Sequence, residues 1–513
     1  MRHGYRNLPG NLGDRTMNCR PFLLPFLASL SACAALPRPD LASAPTSVSG
    51  YVQRIDALDD NGPKLNAVIA INPNALKDAE QAQALPGPLA GKPVLIKDNI
   101  ETRDPLATTA GSLALRDNIT SRDAPLVARL RAAGVVVLGK TNLSEWANIR
   151  GSRSSSGWSA VGGQTRNPYA LDRSPCGSSA GSGAAVAAGL AWAAVGTETD
   201  GSITCPASAN GIVGFKPTVG MVSRSFVVPI SSSQDTPGPM TTSVRDAALL
   251  LTAMAGPDPL DPATAKAALY AQDFAAGLES ATLTGVKIGV LRKGVGKHPG
   301  VSALFDAALA DLRRGGATIV EIDWEPDGAM YRDESLVLRY ELKRDLNAYL
   351  AGLPGTPPVR SLADVIAFNQ ANAAAELRWF GQDTFEAANK LTDESAYKKA
   401  RENSLRLAGK DGLDMVMAKF GVALLIFPTE GPAWTIDPIT GDHGLAGVGM
   451  GSLPAIAGYP HLTVPMGQVE GLPVGLSFVA GKWGDKKVLD AGAAYEKLRT
   501  AALPPPSFRR WGE

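Results

Sequence analysis

The chain of 513 residues is poor in the groups that most often cross-link proteins or bind metals. It has four cysteines (Cys19, Cys33, Cys176 and Cys205) and four histidines (His3, His298, His443 and His461). No two cysteines have C-x-x-C spacing, and no two histidines are spaced to share a helix face. A clustered metal site and a disulfide framework are therefore not expected. Charge of one sign is also missing: 50 basic residues face 49 acidic ones, a net charge of +1. That excludes a broad electrostatic nucleic-acid binder as the default reading. Charged residues make up 19% and hydrophobics 45%, the profile of a compact folded protein. No internal repeat is present. What abounds is glycine and proline, 54 and 38 residues, so tight turns and close backbone contacts are expected.

The N-terminus has an arrangement of its own. Met17-Asn18-Cys19-Arg20 precedes PFLLPFLASLSACAAL at 21–36, a basic start, an apolar run and a small-residue end. This predicts a secretory leader over 1–36, with Met17 as its start. The run is too short to span a membrane comfortably. Leu30-Ser31-Ala32-Cys33 fits a bacterial lipoprotein cleavage site with a lipid anchor on Cys33, and Ala32-Cys33-Ala34 fits ordinary signal cleavage. Export to the cell envelope, periplasmic or lipid-anchored, is the expectation; a cytoplasmic protein with a mistranslated upstream stretch is the alternative. Residues 37–48 read as a Pro/Ser/Ala linker. Cys176 and Cys205, left in the mature chain, are expected as two buried thiols, with pairing open.

Beyond the linker, strands and helices alternate. Residues 50–58 predict a short helix stopped by Asp59-Asp60-Asn61-Gly62-Pro63, and 123–133 and 303–314 predict further helices. Strands are predicted at 64–71, 92–97, 135–138, 288–291, 317–322, 422–428 and 462–466. The pattern implies an α/β architecture with a largely buried sheet. No domain boundary is evident after residue 48, and 254–286 reads as a loop-rich connection.

Two motif matches carry little. Gly134–Thr141 fits G-x-x-x-x-G-K-[ST], but its middle residues are VVVL, which make a strand and not a phosphate-cradling loop. Ser395-x-x-Lys398 lacks the companion motifs of penicillin-binding enzymes. The informative stretch is 174–204. Its Gly/Ser turn, Gly177-Ser178-Ser179-Ala180-Gly181, runs into an Ala-rich helix. A strand then leads to Thr199-Asp200-Gly201-Ser202, a tight turn whose amides can converge on one point, as an oxyanion hole requires. The first turn also satisfies G-x-S-x-G. It admits an α/β-hydrolase esterase with Ser179 as nucleophile and His443 or His461 as its base. Lys97 ends the apolar run PVLI, where burial would favour its neutral amine and let it act as a base.

These stretches resemble the amidase signature family. Lys97 precedes Ser178 by 81 residues, and Ser178 precedes Ser202 by 24. The likeness includes PVLIKDNI, LGKTNLSEWAN, GGQTRNPY and NGIVGFKPTVGMVSR, and covers about residues 50–500. It implies one large amidase domain over 49–503 with a short tail, 504–513, and a central mixed β-sheet covered by helices on both faces. It further implies Ser202 as acyl nucleophile and Ser178, on a cis peptide bond, as bridging serine. Lys97 is the implied base and acid, Thr199, Asp200 and Gly201 the oxyanion site, and Ser179 a support. No metal or organic cofactor is implied, and no nucleic-acid partner. Within the family the chain is most similar to bacterial peptide amidases, which release ammonia from C-terminal peptide amides. Alternatives are small aryl or aliphatic amides, or a tRNA-linked glutamyl substrate. One departure is Thr204, two residues after Ser202, where many members have arginine; its loss favours an uncharged amide end.

Overall fold

The computed structural model describes residues 45–513. The leader, Met17, Cys33 and most of the linker lie outside the described residues. Ser47 caps the first helix, Val48–Ile55, accepting from the Gly50 amide at 3.2 Å. That helix continues as a wider turn through Asp60, a residue or two past its expected end.

The strands, in chain order, are β1 (Val68–Ile71), β2 (Pro93–Lys97), β3 (Val136–Thr141), β4 (Trp158–Ser159), β5 (Gly163–Gln164), β6 (Ala193–Glu198), β7 (Val213–Lys216), β8 (Thr236–Thr241), β9 (Lys287–Leu291), β10 (Thr318–Ile322), β11 (Leu424–Pro428), β12 (His461–Val469) and β13 (Leu472–Val479). β4 and β5 form a separate ribbon. The others form one eleven-stranded sheet in the order β1-β3-β2-β6-β8-β7-β12-β13-β11-β9-β10. It is mixed: β3, β2 and β6 run parallel, as do β11, β9 and β10, while the strands between them pair antiparallel.

Period-two alternation explains why both faces are covered. In β2, Val94 and Ile96 join one core and Leu95 the other; β3 and β6 divide the same way, Val137 and Val195 against Leu138 and Ala194. The first core packs helices Pro125–Ala132, Val244–Met254, Pro299–Arg314 and Asp485–Leu498. The second packs Val48–Ile55, Ala75–Ala82, Ala180–Ala187 and Thr204–Ala209. This is the single mixed sheet between helical layers that the sequence led us to expect.

Three local differences have physical causes. The strand expected from residue 64 begins only at Val68, because Lys64 and Asn66 adopt left-handed backbone (φ 53° and 51°). β8 reads TPGPMT and was not expected as a strand, since proline withholds ladder donors; it is nevertheless central, paired with β6 and β7. β13, which completes a hairpin with β12, and β7, which pairs with β8 and β12, were likewise not anticipated.

Candidate active site

The parallel neighbours β2 and β6 set the site. Ile96 pairs with Val195, and from the end of β2 the Lys97 amine reaches Thr197 near the end of β6. The Lys97 side chain is fully buried. Its Nζ lies 2.8 Å from Ser178 Oγ, 2.9 Å from Thr197 Oγ1 and 3.2 Å from the Thr197 carbonyl. Burial pulls the Lys97 ammonium down to about 7, against the opposing pull of the Asp235 and Glu198 carboxylates. The amine is therefore available as a base near neutral pH.

Ser178 follows a cis Gly177–Ser178 peptide bond and opens onto helix Ala180–Ala187. Gly177 is needed there by close approach: a Cβ would collide with Ser144 Oγ. The Ser178 carbonyl accepts from the Ser144 amide at 3.0 Å. Ser179 is buried, and its hydroxyl is spent on Thr197, donating to the carbonyl at 3.1 Å and accepting from the amide at 3.2 Å. Neither histidine offered as its base is a partner. His443 contacts Thr435 and Gly441; buried His461 contacts Ser477 at 2.7 Å, and burial pulls its imidazolium down to about 3. The α/β-hydrolase elbow on Ser179 is thus not formed.

The turn after β6 brings Ser202 to this group. The Ser179 amide donates to the Ser202 carbonyl at 3.1 Å. The Ser202 hydroxyl has no hydrogen-bond partner among the described residues, and the residue is 8% exposed. Gly201 takes a left-handed φ of 78° that makes the tight turn possible. The following amides are occupied: Glu198 Oε2 accepts from Ile203 at 2.8 Å and Thr204 at 2.9 Å. Those of Asp200, Gly201 and Ser202 have no partner among the described residues. Three free amides beside a free hydroxyl are what an acyl-transfer site needs to stabilise an oxyanion.

Several residues that the sequence did not single out hold the turn. Thr197 is the hub, joining Lys97, Ser179 and Asn99, whose Nδ2 donates to Thr197 Oγ1 at 3.0 Å. Thr199 Oγ1 donates to Asp235 at 2.6 Å, and Gln234 donates to the Thr199 carbonyl at 3.2 Å. Asp200 accepts from Ser452 at 2.7 Å and shares a hydrogen bond with buried Glu334; burial and mutual repulsion push this carboxyl pair upward, so it retains a proton.

Beside the turn opens a cleft of about 330 Å³, lined by Asp200, Tyr331, Glu430, Trp434 and Asp442 among others, with no basic side chain. Burial raises the Glu430 carboxyl to about 7. Cys176 and Cys205 reach the same cleft and are joined as a disulfide, with Cα atoms 6.0 Å apart. This corrects the expectation of two separate thiols: the loops flanking the two serines bring them together across 29 residues. The two discounted motifs stay discounted. Lys140 is buried in β3, donating to the Ile100 carbonyl at 2.6 Å and Thr108 at 2.8 Å, and Lys398 pairs with Glu394 along an exposed helix. Among the described residues no group of side chains could hold a metal ion, and no helix is long and apolar enough to cross a membrane.

Comparison with known proteins gives the family of the chain. The family model Amidase matches residues 46–489. A probable amidase of Arabidopsis thaliana is 38% identical over 88% of this chain and 87% of its own. A putative amidase of Schizosaccharomyces pombe is 33% identical over 87% and 81%. Among solved structures, native peptide amidase from Stenotrophomonas maltophilia superposes with a TM-score of 0.85 at 50% identity, covering 90% of this chain and 94% of that one. Matched across most of its described length in both sequence and fold, the chain belongs to the amidase family and is a hydrolase of amide C–N bonds.

Proposed function

We propose that the protein is a serine amidase that deamidates C-terminal peptide amides through an acyl-enzyme on Ser202. Ser202 Oγ attacks the amide carbon, and its proton passes through Ser178 to neutral Lys97. The oxyanion gathers charge at the free amides of the 199–202 turn. The Lys97 ammonium then returns the proton through Ser178 to the leaving nitrogen, and ammonia departs. Water repeats the sequence to release the acid. The observation that carries this reading is the 2.8 Å contact between a fully buried lysine amine and Ser178.

Three features support the peptide-amide substrate. The 50% identity to peptide amidase extends over 90% of the chain. The cleft beside Ser202 has room for a short peptide. Its titratable lining is acidic and holds no basic side chain, and position 204 is a threonine, so a substrate carboxylate would meet no counter-charge. A glutamyl substrate fits that lining poorly. Ammonia release from matched peptide amides, free amino-acid amides and aryl amides tests the assignment; a preference for aryl amides would overturn it. We infer export as well, supported by the leader-like N-terminus and by a disulfide that suits an oxidising compartment. Mass spectrometry of cell-envelope fractions tests this: a chain starting between about residues 33 and 37 is expected, and an intact Met1 start refutes it.

A further inference from the structure

We propose that the Cys176–Cys205 bridge positions the two reacting serines and that its reduction switches the amidase down. The inference rests on the reading of Ser178 and Ser202 as the reacting pair.

Cys176 stands two residues before Ser178, and Cys205 stands three after Ser202. The two segments belong to different helix entries, one opening onto Ala180–Ala187 and the other onto Thr204–Ala209. Behind the bridge they are tied by Asn210, whose Nδ2 donates to the Pro175 carbonyl at 2.8 Å. Ahead of it they are tied by the Ser179 amide on the Ser202 carbonyl at 3.1 Å. Between those two points the disulfide is the covalent link. Its reach into the nucleophile turn is short, because the Cys205 amide donates directly to the Gly201 carbonyl at 2.8 Å. Its reach into the other turn is equally short. Cys176 is held in a left-handed conformation, φ 56°, which a non-glycine residue adopts only when its surroundings enforce it. Release of the sulfur removes one of those constraints one peptide unit from Gly177. Proton relay between two hydroxyls is steep in distance and angle, so a small loss of register lowers turnover more than binding.

The bridge is also reachable. Both cysteines line the cleft that receives substrate, so a small thiolate can enter as the substrate does. An external dithiol attacks one sulfur, the S–S bond breaks, and a mixed disulfide forms. The reagent's second thiol displaces the cysteine sulfur and closes a ring. Two cysteine thiols result, and the dithiol is oxidised by two electrons with its two protons passed on.

The test compares oxidised and dithiothreitol-treated enzyme on one good peptide amide, with alkylation mapping to verify which thiols are free. We expect kcat to fall tenfold or more with KM within about threefold, at a temperature where both forms give the same circular dichroism. Reoxidation should restore kcat. Cys176→Ser/Cys205→Ser should start low and ignore the reductant, which keeps the positioning claim testable apart from reagent effects. Full kcat in the reduced enzyme overturns the proposal. So does loss of activity that only accompanies unfolding, and so does a bridge that resists reductant in the folded enzyme. Ser202→Ala tests the underlying assignment separately: an active Ser202→Ala enzyme would sink the serine assignment whatever the bridge does.

Discussion

Lys97 Nζ and Ser178 Oγ lie 2.8 Å apart, and each remaining contact of that amine goes to Thr197. The charged amine donates to all three oxygens. The neutral amine can keep its two N–H bonds on Thr197 and turn its lone pair toward the Ser178 hydroxyl. One geometry thus serves both directions of proton transfer.

The first consequence is a pH limb. Lys97 must be neutral to act as base, and burial brings it to about 7. The profile of kcat/KM should rise with pH through about 7 and then level off. Lys97→Ala should lose most of the rate together with the limb. Lys97→Arg should be nearly as poor, because guanidinium keeps its proton. A Lys97→Arg enzyme of near-normal rate would show that charge, not proton transfer, is what the position supplies.

Thr197→Val removes the hydroxyl that accepts from Lys97 and Asn99 while keeping the size of the side chain. That hydroxyl favours the ammonium form. Its loss should move the pH limb downward and lower kcat about tenfold, the scale of one buried hydrogen bond. An unmoved limb would remove Thr197 from the tuning of the lysine.

The two neighbouring serines should separate cleanly. Ser202→Ala should abolish turnover and fluorophosphonate labelling. Ser179→Ala loses two contacts to Thr197 and should retain a measurable fraction, about a tenth, of the activity. A label found on Ser179 in the parent enzyme would contradict the assignment.

Glu430 provides a test of the cleft. Its carboxyl is raised to about 7 and accepts from the neighbouring Gly431 amide at 3.0 Å. Glu430→Gln should lower KM for peptide amides that carry an acidic residue next to the scissile amide, and leave neutral peptides within about twofold. Equal effects on both would show that Glu430 faces away from the bound peptide.

Much of this arrangement was legible before the structure. Apolar runs located most sheet strands, and the family resemblance singled out Lys97, Ser178 and Ser202, which the fold brings to one place. The misses have two causes. β8 was invisible because its prolines and glycine are poor strand formers; only its neighbours on both sides make it a strand. Thr197, Gln234 and Asp235 were passed over because a threonine or a glutamine acquires its role from what the fold places opposite it. The disulfide was undecidable for the same reason, since Cα separation is a property of packed loops and not of spacing.

Glu198 and Thr204 place a limit on redesign. The carboxylate accepts from two amides and from the Thr204 hydroxyl at 3.2 Å, and Thr204 is 1% exposed. Arginine at 204 alone would remove the hydroxyl that donates to Glu198, one of the three contacts of the carboxylate that holds the turn carrying Ser202. A laboratory lineage aimed at acidic substrates would therefore have to change positions 198 and 204 together, with each single step passing through a damaged intermediate.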